Sequence, residues 1–119
     1  MILVLGGIAS GKRAYVYDLG YVDEQIDGDP FSSAPVLFGL DELLRGRTPD
    51  ETLMEQLIAK EVVVCREVGL GIVPIDAKER EWRELVGRTC MLLADCADEV
   101  VRMVCGIPVR IKPQDPSCC

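Results

Sequence analysis

Residues 2–13 read Ile2-Leu3-Val4-Leu5-Gly6-Gly7-Ile8-Ala9-Ser10-Gly11-Lys12-Arg13, and the succession of apolar, small and basic side chains there decides the fold class. An apolar run from Ile2 to Leu5, closed by two glycines, suits a strand buried on both faces, as in a parallel sheet. A helix is expected from Gly11 to Leu19, with Gly20 as its left-handed C-terminal cap. Strand, glycine-rich turn and helix in that order form the setting in which G-x-x-x-x-G-K becomes a phosphate-binding loop. The N–H groups of Gly6, Gly7, Ile8, Ala9, Ser10 and Gly11, with the helix N-terminus behind them, would surround a phosphate. Lys12 would add a cation at the β/γ end. The contrasting reading is an ordinary strand-to-helix turn with a surface lysine.

The eighth position of that motif departs from the pattern. A hydroxyl there would ligate magnesium, whereas Arg13 is a cation that repels it. Two outcomes fit: Arg13 turns outward, or it contacts a phosphate directly. Magnesium use therefore stays open.

Beyond the loop, Tyr21 to Pro35 is acidic and broken by Gly28, Ser32, Ser33 and two prolines, and so reads as a long loop. The acids Asp18, Asp23, Glu24, Asp27 and Asp29, in and just before this segment, form a solvated rim. The calcium-loop spacing that Asp23, Gln25, Asp27 and Gly28 begin has Ala34 where the closing glutamate belongs. A short strand at Pro35 to Phe38 and a short helix at Leu40 to Arg45 follow. Thr48-Pro49-Asp50-Glu51 then marks a helix start, with Thr48 as hydroxyl cap and Pro49 in the first turn. That helix, running to Lys60, is expected to bury Leu53, Leu57 and Ile58 with Met54 alongside. Glu61 to Cys65 is the second strongly apolar strand. Asp76 with Glu79 starts the longest helix, Ala77 to about Cys96, whose stripe is Trp82, Leu85, Val86, Thr89, Leu92, Leu93 and Cys96. Trp82 on this stripe is core, not a stacking platform. Glu99 to Cys105 and Pro108 to Lys112 read as two strands around Gly106. The alternation implies an α/β, P-loop NTPase-like domain over residues 1–112, with a mostly parallel sheet of about five strands flanked by helices. Residues 113–119 are expected to be a flexible tail.

Composition narrows the chemistry. Thirteen basic against twenty acidic residues give a net charge of −7 over 119 residues, which argues against a broad grip on nucleic acid or anionic lipid. Histidine is absent, so no imidazole serves as base, metal ligand or covalent carrier. The six cysteines include no C-x-x-C pair and read as reduced thiols in the cytoplasm, with Cys65 and Cys105 as small buried residues and Cys118-Cys119 exposed. No apolar stretch is long enough to span a membrane.

At the end of the second apolar strand, Glu67 is the carboxylate best placed to face a bound phosphate, since ligands in open α/β sheets sit beyond the carboxyl ends of strands. It would orient magnesium through water or serve as base toward an acceptor hydroxyl. The plainer reading is a loop acid, solvated or paired with Arg66 or Lys12. Gly69-Leu70-Gly71 implies a tight or mobile loop near the same place.

The glycine loop and the run Glu67-Val68-Gly69-Leu70-Gly71-Ile72-Val73-Pro74 together resemble the bifunctional adenosylcobinamide kinase/adenosylcobinamide-phosphate guanylyltransferase family of cobalamin biosynthesis. Gly87-Arg88, Ala97-Asp98-Glu99-Val100 and the block from Val104 to Lys112 extend the likeness. The resemblance implies a P-loop α/β fold, ATP or GTP as phosphate donor, the corrinoid adenosylcobinamide as acceptor, and a trimer that transfers GMP through a histidine. Without histidine the guanylyl step is expected to be absent, leaving phosphoryl transfer with Lys12 and Glu67 as catalytic residues. The family's segment between first helix and second apolar strand is longer, and here Tyr21 to Lys60 must build any acceptor site. Thr89, Cys90 and Met91 follow Gly87-Arg88 where the family tends to carry Asn-Gln. The alternative, from a different class, is a non-catalytic relative that binds nucleotide or a protein partner as a regulatory or assembly subunit.

Overall fold

The computed structural model describes residues 1–68 and 76–113. The expected loop at Gly69 to Gly71, and the tail with Cys118 and Cys119, lie outside the described residues.

Strand β1 (Ile2–Gly6) forms the centre of a six-stranded sheet, and its apolar run explains why. Leu3 points to one face and Val4 to the other, and both are fully buried. On its two sides β1 pairs in parallel with β4 (Val62–Arg66) and β5 (Glu99–Val104). Outside β4 lie β3 (Val36–Phe38) and the two-residue β2 (Ile26–Asp27), both parallel. At the opposite edge β6 (Ile107–Lys112) runs antiparallel to β5. The spatial order is β2-β3-β4-β1-β5-β6. The architecture is thus the expected α/β fold with a mostly parallel sheet. Its sixth strand is β2, inside the segment expected to be all loop, where Ile26 aligns with Val36.

The period-2 alternation of the strands feeds two cores. On one face Leu3, Leu37, Val63, Cys65 and Val100 of the strands meet Leu40, Leu53, Leu57, Trp82, Val86 and Leu93 from the helices. Those helices are α2 (Leu40–Leu43), α3 (Glu51–Ala59) and α4 (Ala77–Cys96). On the other face Val4, Val62, Val64 and Val101 pack with Val16 of helix α1 (Lys12–Asp18). Each fully buried aliphatic side chain stabilises by about 1.5–3 kcal/mol, so the central strands are the best-anchored part of the chain.

Local signals hold with some shifts. Gly20 takes the expected left-handed conformation after α1, at φ 103°. Helix α3 starts later than Thr48-Pro49 suggests: Asp50 is the cap, its Oδ1 accepting from the Leu53 N–H at 2.7 Å. A carboxylate outcompetes a hydroxyl at the positive end of a helix. Ile58 is exposed rather than buried, 100° around the helix from Leu57. In α4 the buried stripe is Trp82, Val86, Thr89 and Leu93; Leu92, next to Leu93, is exposed for the same rotational reason, and Cys96, on the stripe side but in the last position of the helix, is exposed as well. Asp76 caps α4 through the Lys78 N–H, but Glu79 binds Arg45 at 2.7 Å instead of reaching back to the cap. Cys105, expected to be buried, is exposed and forms the β5–β6 turn with Gly106, both at positive φ (51° and 78°). Such a two-residue hairpin turn matches the strand twist.

Among the described residues, no helix is long and apolar enough to cross a membrane.

Candidate functional site

The glycine loop is tightly built. After β1 the chain turns through Gly7, Ile8, Ala9 and Ser10, with Ala9 at φ 55°, to Gly11 at φ 95°, the N-terminal cap of α1. A Cβ on Gly6 would sit 2.3 Å from Ser10 Oγ and 3.1 Å from the Met103 carbonyl oxygen, so β1 and β5 leave no room for a side chain there. At Gly11 a Cβ would lie 3.0 Å from Gly106 Cα, in a backbone region that side chains rarely adopt. The Gly106 N–H donates to the Ser10 carbonyl at 2.9 Å, which props the loop on the β5–β6 turn. Ser10 is buried, yet its Oγ has no hydrogen-bond partner among the described residues.

Lys12 reaches back across the loop and donates to the Gly7 carbonyl at 2.6 Å, so the ammonium faces the loop's concave side. Burial pulls its pKa below the usual lysine value; the nearby Asp41 carboxylate opposes this and the Arg66 guanidinium reinforces it. Arg13 turns across the rim. Its guanidinium stacks on the Phe38 ring at 4.4 Å and lies 3.9 Å from Asp23, whose carboxylate also accepts from the Tyr17 hydroxyl.

Loop residues Ile8 to Lys12, together with Arg13, Phe38, Gly39, Asp41, Val64 and Arg66, line a cleft of about 660 Å³. It opens beyond the carboxyl ends of β1, β3 and β4, where open α/β sheets bind ligands. Three cations, Lys12, Arg13 and Arg66, converge on it, which makes it locally basic in an acidic chain.

Glu67 does not line this cleft. Its N–H extends the ladder to Gly6, but its carboxylate is gripped by Arg102 of β5, Nε to Oε1 at 2.9 Å and Nη2 to Oε2 at 3.2 Å. The partner is therefore neither Arg66 nor Lys12. Glu67 lines neighbouring cavities, not the cleft, because it lies one residue beyond β4 and turns toward β5. The acids that do reach the cleft are Asp41 and Glu42 of α2, neither of them among the residues expected from the sequence; Asp41 is the one tied to Arg66. It is buried, its Oδ1 accepts from the Arg66 N–H at 3.2 Å, and its Oδ2 lies 3.6 Å from Arg66 Nε. Its carbonyl accepts from Trp82 Nε1 at 2.9 Å, which ties α2 to α4. The signal was present in Gly39-Leu40-Asp41 just past β3, a carboxyl-end position like that of Glu67. Arg66 closes β4 by the same rule.

Magnesium does not fit these side chains in the way a phosphate does. Arg13 occupies the hydroxyl position and Asp41 is engaged by Arg66. Among the described residues no group of three or more acids and cysteines converges to hold a metal. An anion, by contrast, finds the cations Lys12 and Arg66 in the cleft lining.

A family model described as cobinamide kinase / cobinamide phosphate guanyltransferase matches residues 46–111, just over half of the chain. The chain belongs to the cobinamide kinase / cobinamide phosphate guanyltransferase family. A bifunctional adenosylcobalamin biosynthesis protein CobU from Salmonella typhimurium is 50% identical over 54 residues, 45% of this chain and 30% of that protein. The CobU protein of Escherichia coli is 48% identical over the same length and shares. The aligned part thus spans under a third of these relatives. The family match runs from α3 to β6 and includes Arg66, Glu67 and Arg102. The glycine loop lies outside it, so the case for the loop rests on its own geometry.

Proposed function

We propose that this cobinamide kinase family member is a nucleotide-binding phosphotransferase whose P-loop holds the phosphates of ATP or GTP. Gly6, Gly7, Ile8, Ala9, Ser10 and Gly11 supply backbone N–H groups, Lys12 the charge at the β/γ end, and Arg13 a second cation at the rim. The observation that carries this is the basic cleft formed by the glycine loop, Lys12 and Arg66 at the carboxyl end of the sheet. Phosphoryl transfer is mostly positioning plus charge stabilisation. The bond from the γ-phosphorus to the bridging oxygen breaks as an acceptor alcohol oxygen bonds to that phosphorus. Arg66, held by Asp41, and Lys12 stabilise the charge that builds on the transferred group. Asp41 and Glu42 are cleft carboxylates toward which the hydroxyl proton can leave. Glu67, tied to Arg102, acts as a positioning residue at the end of β4. No step is routed through magnesium, which the side chains do not fit.

The acceptor we propose is the corrinoid alcohol of the family, adenosylcobinamide. Guanylyl transfer through histidine is lost, because the chain has none. We further propose that residues 1–112 form one domain, that it works in the cytoplasm, and that it assembles as a homotrimer. Titration with ATP and GTP, with and without magnesium, combined with a phosphate-transfer assay on adenosylcobinamide, tests the reading. Turnover supports the kinase. No binding at millimolar nucleotide overturns both the kinase and any nucleotide-binding role.

A second reading is favoured by Arg13 stacked on Phe38 at the magnesium position: a non-catalytic relative that binds nucleotide or a protein partner as a regulatory or assembly subunit. Magnesium-independent binding without turnover distinguishes it.

A further inference from the structure

A second cavity, of about 420 Å³, stands beside the phosphate cleft. Ile8 of the glycine loop and Arg66 at the end of β4 line both, so the two spaces adjoin there. Glu67 and Val68 follow Arg66 in the second cavity, and Glu79 and Arg83 enter it from the first half of α4. A third cavity, of about 290 Å³, shares Arg66, Glu67, Val68 and Arg83 with the second and adds the apolar side chains of Leu5 and Val86.

The charge of the second cavity differs from that of the cleft. Glu67 and Glu79 balance Arg66 and Arg83, so no net charge faces a ligand there. Three of these groups are already held in place: Glu67 by Arg102 at 2.9 Å, Glu79 by Arg45 at 2.7 Å, and Arg66 by Asp41 at 3.6 Å. Side chains held in this way lose little further freedom when a ligand binds. Their carboxylate oxygens can accept from amide N–H groups, and the guanidinium N–H groups can donate to amide carbonyls. Ile8, 77% exposed, and Val68 add apolar surface.

We propose that the second cavity docks the acceptor, a bulky alcohol that carries neutral amides and no anionic group. Its body extends toward the third cavity, and its hydroxyl meets the γ-phosphorus at the side of the cleft formed by Ile8 and Arg66. The assignment rests on the phosphotransferase reading above. A second anionic substrate would find no surplus of positive charge here. The acceptor oxygen bonds to phosphorus as the bond to the bridging oxygen breaks, the nucleoside diphosphate stays in the cleft, and the hydroxyl proton leaves toward Asp41. Arg83 thereby helps to set acceptor specificity. Arg13, which lines the cleft and neither of the other two cavities, serves the nucleotide alone.

The test is equilibrium dialysis of the full chain with adenosylcobinamide, read by the visible absorbance of its corrin ring, beside a separate titration with ATP. Arg83→Ala is expected to weaken adenosylcobinamide binding about tenfold or more, through loss of a charged donor, and to leave ATP affinity unchanged. Arg13→Ala should do the reverse. Unchanged adenosylcobinamide affinity in Arg83→Ala, or equal losses for both ligands, overturns the proposal. Should Arg83→Ala fail to fold, hydrogen exchange on the unaltered protein decides the matter. Adenosylcobinamide alone should slow exchange in peptides spanning residues 66–68 and 79–83, and ATP alone in those spanning 8–13. Protection by adenosylcobinamide confined to 8–13 overturns the site. ATP binding without any adenosylcobinamide binding also overturns it and leaves the nucleotide reading standing, so the two failures are separate.

Discussion

Lys12 links the glycine loop to the chemistry proposed for it. Lys12→Ala is expected to weaken ATP or GTP binding at least about tenfold by losing a charge-assisted contact to phosphate, with an unchanged circular dichroism spectrum. Isothermal titration checks this, and unaltered affinity would refute the role of the lysine. Burial costs the charged form, so the fold carries a penalty below the lowered Lys12 pKa that vanishes above the ordinary value near 10.5. Lys12→Met should therefore raise the melting temperature at neutral pH, with the gain shrinking as pH approaches 10.5. Nucleotide affinity has the related dependence, falling as pH rises through the lowered Lys12 pKa, because phosphate needs the ammonium. Asp41 acts through Arg66: Asp41→Asn keeps the N–H contact but removes the charge that orients the guanidinium. We expect it to lower the phosphoryl-transfer rate about tenfold or more while moving nucleotide affinity less, a difference that steady-state kinetics resolves.

The elements were legible where a local signal had one dominant cause. The apolar run of β1 and the stripe of α4 each predict a buried face, and Leu3, Val4, Trp82, Val86 and Leu93 are buried. Caps were less legible because two side-chain acceptors stand within one short motif. The sequence reading makes Thr48 the cap of α3, and the structure uses the Asp50 carboxylate instead. Asp50→Ala should cost about 1 kcal/mol in chemical denaturation and Thr48→Ala close to nothing. Trp82 shows what a periodic stripe conceals. Its ring packs in the core and lies under the Arg45 guanidinium at 3.7 Å, while its Nε1 holds the Asp41 carbonyl. Trp82→Phe is expected to cost about 1–3 kcal/mol and to loosen α2, measured as faster hydrogen exchange at Leu43 and Leu44, whose N–H groups bond back to Gly39 and Leu40.

Across the whole molecule, two histories of pattern meet in one sheet. The family match covers α3 to β6, yet β1 and its glycine loop insert between β4 and β5 and complete the core. The Gly106 turn, inside the matched block, supports Ser10 outside it. At this scale the absence of histidine has a direct consequence. Incubation with GTP should leave no covalent GMP on the protein, and a stable guanylyl adduct in intact mass would contradict the proposed loss of that step.

Residue order alone determined the α/β class, the central strand and the loop that follows it, because burial on two faces and glycine-specific backbone geometry are written in short contiguous stretches. Only the tertiary arrangement decided which acid meets which cation. Glu67 and Asp41 both follow parallel strands, but the neighbours of β4 direct one carboxylate to Arg102 and the other to Arg66 and the cleft. Ion pairing depends on distances between segments far apart in the chain, and those are set by how the strands are ordered in the sheet.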